Sequence, residues 1–532
     1  MKALLLYPLF PKTFWSYDRF MDIVNMKATI PPLGIITVAS LLPQDWDIRF
    51  YDRNVTLETE ADWDWCDLIM VSAMIAQRED FHDLIRKAVQ KGKKVAVGGP
   101  YPTSVPEDAM ESGADYLILD EGEITIPPFV DAITRGEEQG IFRANEKPDV
   151  TQSPLPRFDL LQREDYVMMA VQFSRGCPFH CEFCDIISLY GRKPRTKEID
   201  QTLAELQTLY DLGWRRSVFI VDDNFIGNQR NVKRLLRALI PWIQERNYPF
   251  TFLTEASVNL AEDPELLELM KQAGFYGVFL GIETPDQDSL TVTRKHQNTR
   301  SPLAEACHQI NQAGLMIYAG FIIGFDGERS GAGERIQAFV EETSIPQPML
   351  GLLQAPQNTA LWERLKTEQR LLEDIGWTKF GEQNTLMNFI PTRPLSEIAQ
   401  EYMQALWTMY EPAAYLQRCF QHCLKITPNP HFRQRISFPM TTAVRLITQV
   451  IWKQGVQMKA IRKQFWHQFW MLLKTKPQLL SLYLGLCAAG EHFWEYRVLT
   501  RERITQQLGY DPLVTSPALL SKSKSVENCI TS

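Results

Sequence analysis

Through the first 140 residues, short apolar runs alternate with stretches of helical periodicity. The runs are Ala3–Tyr7, Ile48–Tyr51, Leu68–Met74, Val95–Val97 and Tyr116–Leu119. Each is nearly uncharged and bounded by turn residues, the pattern of parallel strands covered on both faces. Leu33–Leu42 and Phe81–Gln90 carry helical patterns between them. This alternation predicts an α/β domain on a doubly wound sheet. The opening MKALLLYPLF reads as a first buried strand, because no small-residue cleavage site follows its apolar run. Ligands on such sheets lie beyond the C-terminal strand ends. Three segments are expected there: residues 8–32, Gly98 to Thr103, and Asp120 to Glu123. Gly98 and Gly99 either admit a flat ligand to the backbone or only turn the chain.

Segment 151–161 (TQSPLPRFDLL) is rich in Pro and polar residues and reads as a linker. Beyond it the alternation resumes. Strands are predicted at Val167–Phe173, Val218–Val221, Phe250–Leu253, Gly277–Leu280, Ile317–Ile323 and Gly351–Gln354. Helices are predicted at Ile199–Leu212, Val232–Glu245, Pro264–Ala273 and Leu303–Ala313. Repeats of this size are those of a β/α barrel, whose active sites lie at the C-terminal strand ends. Polar residues gather there: Asp222, Asp223 and Asn224, then Glu255 and Ser257, then Glu283.

The last third changes character. Thr441–Lys474 reads as one amphipathic helix, with Val444, Ile447, Ile451, Met458, Ile461, Phe465, Phe469 and Leu472 on one stripe. Trp452, Trp466 and Trp470 border it, and Arg445, Lys453, Lys459, Lys463 and Lys474 lie mostly away from it. Such a helix suits the headgroup region of an anionic bilayer. A helix packed on the barrel with a solvated basic face has the same pattern. Charge keeps the membrane reading open beside the packed-helix one. The chain carries a net −8, yet Pro412 to Gly490 holds no Asp or Glu and eleven Lys and Arg. This part is therefore expected to face something anionic. Pro477 to Gly490, the longest charge-free stretch near the C-terminus, is too short to span a bilayer. A soluble or membrane-surface protein of about three domains is expected from 532 residues of ordinary globular composition.

The strand ending at Phe173 runs into Ser174-Arg175-Gly176-Cys177-Pro178-Phe179-His180-Cys181-Glu182-Phe183-Cys184. Three of nine cysteines thus fall in eight residues, which points to metal binding in a reducing compartment. Three thiolates suit three corners of a 4Fe-4S cubane and leave the fourth iron open. Zinc is the alternative; it wants four ligands, and His180 is the nearby fourth. Cys419 and Cys423 share a helix face around His422 but lack a full ligand shell, so they read as buried structural thiols.

These residues carry a resemblance. The Cys-x-x-x-Cys-x-x-Cys loop and the repeats over 165–355 resemble the partial (β/α)6 barrel of the radical S-adenosylmethionine (SAM) superfamily. The N-terminal region resembles Rossmann-type cobalamin-binding domains, with Ser72-Ala73-Met74 in place of their Ser-x-Leu and Gly98-Gly99 as their Gly-Gly. Their Asp-x-His-x-x-Gly element is missing. The first histidine is His82, so the resemblance implies cobalamin held without a histidine ligand from this domain. From APQNTALWERL onward the chain resembles cobalamin-dependent radical SAM proteins, and beyond that hopanoid C-2 methylases and their relatives.

The resemblance implies a cobalamin-binding domain over 1–145, a linker over 146–164 and a barrel over 165–360. A mainly α-helical substrate or membrane-surface domain over 361–515 and a disordered tail over 516–532 complete it. It implies that Cys177, Cys181 and Cys184 hold a 4Fe-4S cluster and that Phe183 packs beside the adenine of SAM. Asp222, Asp223 and Asn224 would hold the SAM amino group, and Glu255 and Ser257 its ribose or carboxylate. Glu283 stands at the next strand end, and Ser72, Gly98 and Gly99 would meet cobalamin. Each polar residue also has a reading as a helix cap or surface acid.

The implied reaction uses SAM twice, once to methylate reduced cobalamin and once to generate a radical that takes hydrogen from an unactivated carbon. The cofactors carry the chemistry and the protein positions them. A methyltransferase on an apolar substrate such as a hopanoid is expected, with a flavodoxin or ferredoxin as reductant and no nucleic acid. The expected location is cytoplasmic, with peripheral contact at an anionic membrane. Two other readings stay open: a ring-forming or oxidative enzyme on a tetrapyrrole, and a cobalamin or iron–sulfur sensor without turnover. Methylthiotransferases of tRNA bring three further N-terminal cluster cysteines, whereas this region has only Cys66.

Overall fold

The computed structural model describes residues 1–372, 384–430 and 440–514. The expected tail from 516 lies outside them. Six parallel strands open the chain: β1 (Lys2–Tyr7), β2 (Asp47–Asp52), β3 (Leu68–Ser72), β4 (Lys94–Gly98), β5 (Tyr116–Ile118) and β6 (Gly140–Phe142). Their order is β2-β1-β3-β4-β5-β6. Ala3 and Leu5 enter one apolar layer while Leu4 and Leu6 enter the other, which is why β1 is apolar at every position from Ala3 to Leu6. Strand β6 was not foreseen; three half-exposed residues give no pattern to read. The chain reverses direction across the sheet between β1 and β3, so the ligand crevice lies at their C-terminal ends.

The second sheet begins with β7 (Met169–Val171). A short antiparallel ribbon follows, β8 (Ser174–Arg175) with β9 (Arg195–Thr196). Then come β10 (Ser217–Ile220), β11 (Thr251–Ala256), β12 (Phe275–Glu283), β13 (Met316–Ile323) and β14 (Gln347–Leu352). The order is β14-β13-β12-β11-β10-β7, all parallel, with β7 and β14 left unjoined: a partial barrel. β14 starts four residues before its predicted position, because Pro348 disguises its beginning. Fully buried residues face the helices and alternate with half-exposed Leu253, Phe279, Ile322 and Met349, which line a hollow. Gly320 lets the interior side chains pack closely: a Cβ there would stand 3.1 Å from Phe279 Cζ and 3.6 Å from Met349 Cε.

Two expectations change, and the linker proves to be packed. Only the start of segment 8–32 stays at the sheet's ligand edge, where Asp80 and Asn54 accept from the backbone of Leu9 and Phe10. The rest forms the helix Asp18–Val24 and crosses to the N-terminal end of the barrel. There Tyr17 donates to Gln347 Oε1 at 2.8 Å and Trp15 sits edge-on to Phe279 at 5.6 Å. Phe14 stacks on Phe493 at 4.6 Å, since its aromatic side chains find apolar cover only there. The linker is also ordered: Val150 and Phe158 are buried in short 3-10 turns, and Arg157 N donates to Ile36 O at 3.0 Å. Lastly, the single helix over Thr441–Lys474 is broken. Met440–Val450 is α-helical, Ile451–Gln457 is a π turn, and Arg462–Thr475 is a second helix. Gly455 permits the break. Trp466 lies over it, donating to its carbonyl at 2.9 Å, and a Cβ there would stand 3.1 Å from the indole.

Helices Leu395–Met409, Pro412–Lys425 and Leu480–Leu508 build the C-terminal region. Cys419, Cys423 and Cys487 are fully buried within it, as structural thiols should be. His422 is buried too, and desolvation pulls its imidazole down to about 3.

Candidate active site

β7 delivers the chain to the cysteine loop. Asp222, just past β10, is wholly buried, and its oxygens are taken by Phe173 N at 2.7 Å and Ser174 Oγ at 2.6 Å. It braces the start of the loop and is spent there, which corrects the expectation that it holds a ligand amino group. Burial pushes its carboxyl up to about 7 in spite of those bonds. Asp223 instead meets the loop itself: Oδ2 accepts Gly176 N at 3.0 Å, and burial raises its carboxyl to about 6. Gly176 has φ +90, and a Cβ there would stand 2.8 Å from Gly191 O, so no other residue fits ahead of Cys177.

Two buried amides approach the cysteine sulfurs. Asn224 Nδ2 stands 3.7 Å from Cys177 Sγ and 3.2 Å from Ser257 Oγ. Gln297 Nε2 stands 3.5 Å from Cys181 Sγ. Such donors favour the charged form of sulfur. Burial pushes the Cys177 and Cys184 thiols up, so metal must displace their protons on binding. Among the described residues no three His, Cys, Asp or Glu converge on one ion. Cubane thiolates each bind their own iron and need no common point.

Glu283 ends β12 at φ +64 and pairs with Lys295, both buried. Burial opposes the Lys295 charge, but Glu283 and the Cys181 and Cys184 sulfurs hold it above its ordinary value. Its Nζ stands 5.8 Å from the Phe183 ring centroid, and Phe183 leans on Phe325 at 5.8 Å. Gly281 makes room, since a Cβ there would stand 2.7 Å from Lys295 Nζ. Sequence reasoning missed Lys295 and Gln297. They sit in the unremarkable turn TRKHQN, and only the fold brings them to the cysteines.

Glu255, the fifth residue of β11, has its carboxyl pushed up to about 8 by burial and by Asp223 and Asp222. A folded pKa above the unfolded one means stability is lost as pH rises through the folded value. Glu255→Gln removes that loss. In urea titrations of the cofactor-free protein, the variant should gain about 1–2 kcal/mol on the wild type between about pH 5 and pH 8.

The flanking regions grip the loop by ion pairs. Arg175 Nη1 donates to Glu121 Oε2 at 2.7 Å, and Nη2 to Glu123 Oε1 at 2.8 Å; Arg195 adds 2.8 Å to Glu121. The Asp120–Glu123 segment, expected at a ligand, therefore joins the first sheet to the cysteine loop. From the other side Arg364 holds Glu182 at 2.9 Å and Asp326 at 2.7 Å.

At the first sheet's edge, Ser72 pairs in register with Gly98. A Cβ on Gly99, which has φ +95, would stand 2.6 Å from Ser72 Oγ, and one on Gly98 2.8 Å from Ile118 O. Close chain packing by itself demands both glycines. Past β1 and β3 the exposed Leu9, Phe10 and Met74 flank the crevice, an apolar rim suited to a flat macrocycle. His82 lies elsewhere, its Nε2 3.1 Å from both Tyr101 Oη and Asp108 Oδ2.

Three family models match: a B12 binding domain over residues 21–130, the radical SAM superfamily over 171–335, and a domain of unknown function (DUF4070) over 359–506. An uncharacterized methyltransferase of Synechocystis sp. is 55% identical over 96% of this chain and 94% of its own. The hopanoid C-2 methylase of Rhodopseudomonas palustris is 33% identical over 86% of each. The chain belongs to the cobalamin-dependent radical SAM methyltransferase family. Among solved structures, the cobalamin-dependent SAM radical enzyme OxsB, with aqua-cobalamin and SAM bound, shares the fold. Its TM-score is 0.59 at 14% identity, over the whole of this chain and 83% of that one.

This family member thus uses a 4Fe-4S cluster, SAM and cobalamin. The residues present fit all three. The cysteine loop offers three sulfurs with amide donors, the β10 and β11 ends offer Asp223, Asn224, Glu255 and Ser257, and the β1/β3 crevice offers an apolar rim. No helix among the described residues is long and apolar enough to cross a membrane.

Proposed function

We propose that the protein is a C-methyltransferase for an unactivated carbon of an apolar, hopanoid-like lipid. The observation that carries this reading is the 33% identity with the hopanoid C-2 methylase, which runs over 86% of the chain and so reaches the C-terminal region. The hollow supports it. Leu253, Phe279, Ile322 and Met349 offer an apolar wall beneath the carboxylate-bearing strand ends.

In this reading Cys177, Cys181 and Cys184 ligate the cluster, and Asn224 and Gln297 donate to its sulfurs. Asp223, Glu255 and Ser257 orient SAM at the mouth, Phe183 bounds the adenine, and Glu283 holds the Lys295 ammonium in place beside the cluster. Ser72 and the Leu9, Phe10 and Met74 rim seat the corrin, with no histidine from that domain. When bound, the cofactors supply hydrogen abstraction and methyl transfer, and the chain excludes water and fixes distances. An acidic one-electron carrier such as flavodoxin or ferredoxin supplies reducing equivalents.

The test is anaerobic reconstitution with cluster and cobalamin, then SAM, reductant and hopanoid in liposomes or detergent. Deoxyadenosine, S-adenosylhomocysteine and a lipid heavier by one methylene unit are expected. Deoxyadenosine with an unmethylated, oxidised or cyclised product on a tetrapyrrole would replace this reading, and cofactor binding without SAM consumption would make the protein a sensor.

A further inference from the structure

We propose that the outer face of residues 440–475 is a docking surface for an anionic lipid bilayer. On both sides of the break at Gly455 the apolar residues divide between core and solvent. Ile461, Phe465 and Leu472 are buried, whereas Met440, Val444, Trp452, Val456, Trp470 and Leu473 are left in solvent. Trp452 and Trp470 are 58% and 52% exposed, although burying an indole is among the most favourable events open to a side chain. No other tryptophan among the described residues is exposed to this degree. Trp466 carries the patch across the break, since it lies on Gly455 and stacks on Trp470 at 6.3 Å.

Charge names the occupant. Lys459, Arg462, Lys463 and Lys474 are exposed around this patch and make no ion pair among the described residues. The acids on neighbouring helices face other partners: Glu491 holds Lys453 at 2.8 Å, Glu495 holds Arg19 at 2.6 Å, and Asp22, whose carbonyl accepts from Arg445, lies 3.6 Å from Arg19. From Pro412 to Gly490 the chain has no acid at all. Apolar and indole side chains ringed by unpaired cations match the acyl boundary and phosphate plane of an anionic leaflet. A second copy would bring the same cations against themselves, because a twofold interface pairs a patch with itself.

This deepens the lipid-substrate reading, since a docked enzyme meets its substrate in the membrane, but it is measured without substrate. The full-length, cofactor-loaded protein is sedimented with vesicles of phosphatidylcholine alone or mixed with phosphatidylglycerol. Binding should be about tenfold stronger with phosphatidylglycerol and be released by high salt. Trp452→Glu with Trp470→Glu, and separately Lys459→Glu with Lys463→Glu, should each weaken it about tenfold while leaving circular dichroism and cluster absorbance unchanged. No binding to anionic vesicles at low salt overturns the proposal. So does binding that both double variants retain, or self-association that both abolish in place of vesicle binding. Methylation in detergent without vesicle binding sinks only this surface; vesicle binding without methylation in either medium sinks only the lipid substrate.

Discussion

Cys181→Ala should lower deoxyadenosine formation by about three orders of magnitude or more, to the background of the assay. Cys181 is the most buried of the three loop cysteines and receives the Gln297 amide. Without its sulfur one iron has no protein ligand, and the open corner that would hold SAM loses its frame. Iron and sulfide content after reconstitution should fall in step. Cobalamin binding should persist, because the proposed corrin crevice past β1 and β3 belongs to the other sheet. Cys423→Ala supplies the contrast. That thiol is equally buried but packs among helices, so its loss should cost about 1–2 kcal/mol of stability and leave the iron content intact. Equal loss of iron in both variants would refute the ligand assignment.

Arg175→Met should destabilise the fold by about 3–5 kcal/mol at neutral pH. Arg175, Glu121 and Glu123 side chains are 12%, 2% and 5% exposed. Removing the guanidinium strands buried carboxylates; Arg195 remains for Glu121, but nothing comparable remains for Glu123. Burial would raise the Glu123 carboxyl, yet the Arg175 hydrogen bonds and charge bring it to about 2. The folded value lies below the unfolded one, so this contribution is present above about pH 4.5 and is lost as pH falls toward 2. In the variant the stranded carboxylate is relieved by protonation. The deficit against wild type should therefore shrink as pH drops from about 7 to about 4. Urea titrations at several pH values would show it, and a deficit that is constant with pH would mean that Arg175 acts through packing alone. The variant should also load the cluster poorly, since Arg175 immediately precedes Gly176 and Cys177.

Much of this molecule was written locally. Apolar runs at period two or in unbroken stretches placed nearly every strand, because covered parallel strands need apolar side chains on both faces. The cysteine spacing named the cluster loop for a similar reason: three ligands from one turn depend only on nearby residues, and Gly176 shapes the turn in place. The missing histidine before His82 was equally plain, because it is a property of the sequence alone.

What the tertiary structure decided is everything that depends on a partner far along the chain. Asp222 and Asp223 are adjacent in sequence and were read alike, but strand alternation turns one into the brace and leaves the other at the loop. Lys295 and Gln297 reach Glu283 and Cys181 across 12 and 116 residues, so no local pattern marks them. Glu121 and Glu123 looked like ligand groups and proved to be anchors for Arg175, 54 and 52 residues away. The long helix over 441–474 was expected whole because periodicity sums over neighbours. It breaks where Trp466 folds back on Gly455, and Trp452 and Trp470 on either side face water. Spacing along the chain reports which residues share a turn or a face; burial and charge pairing across the chain decide which of them do chemistry and which hold the site together.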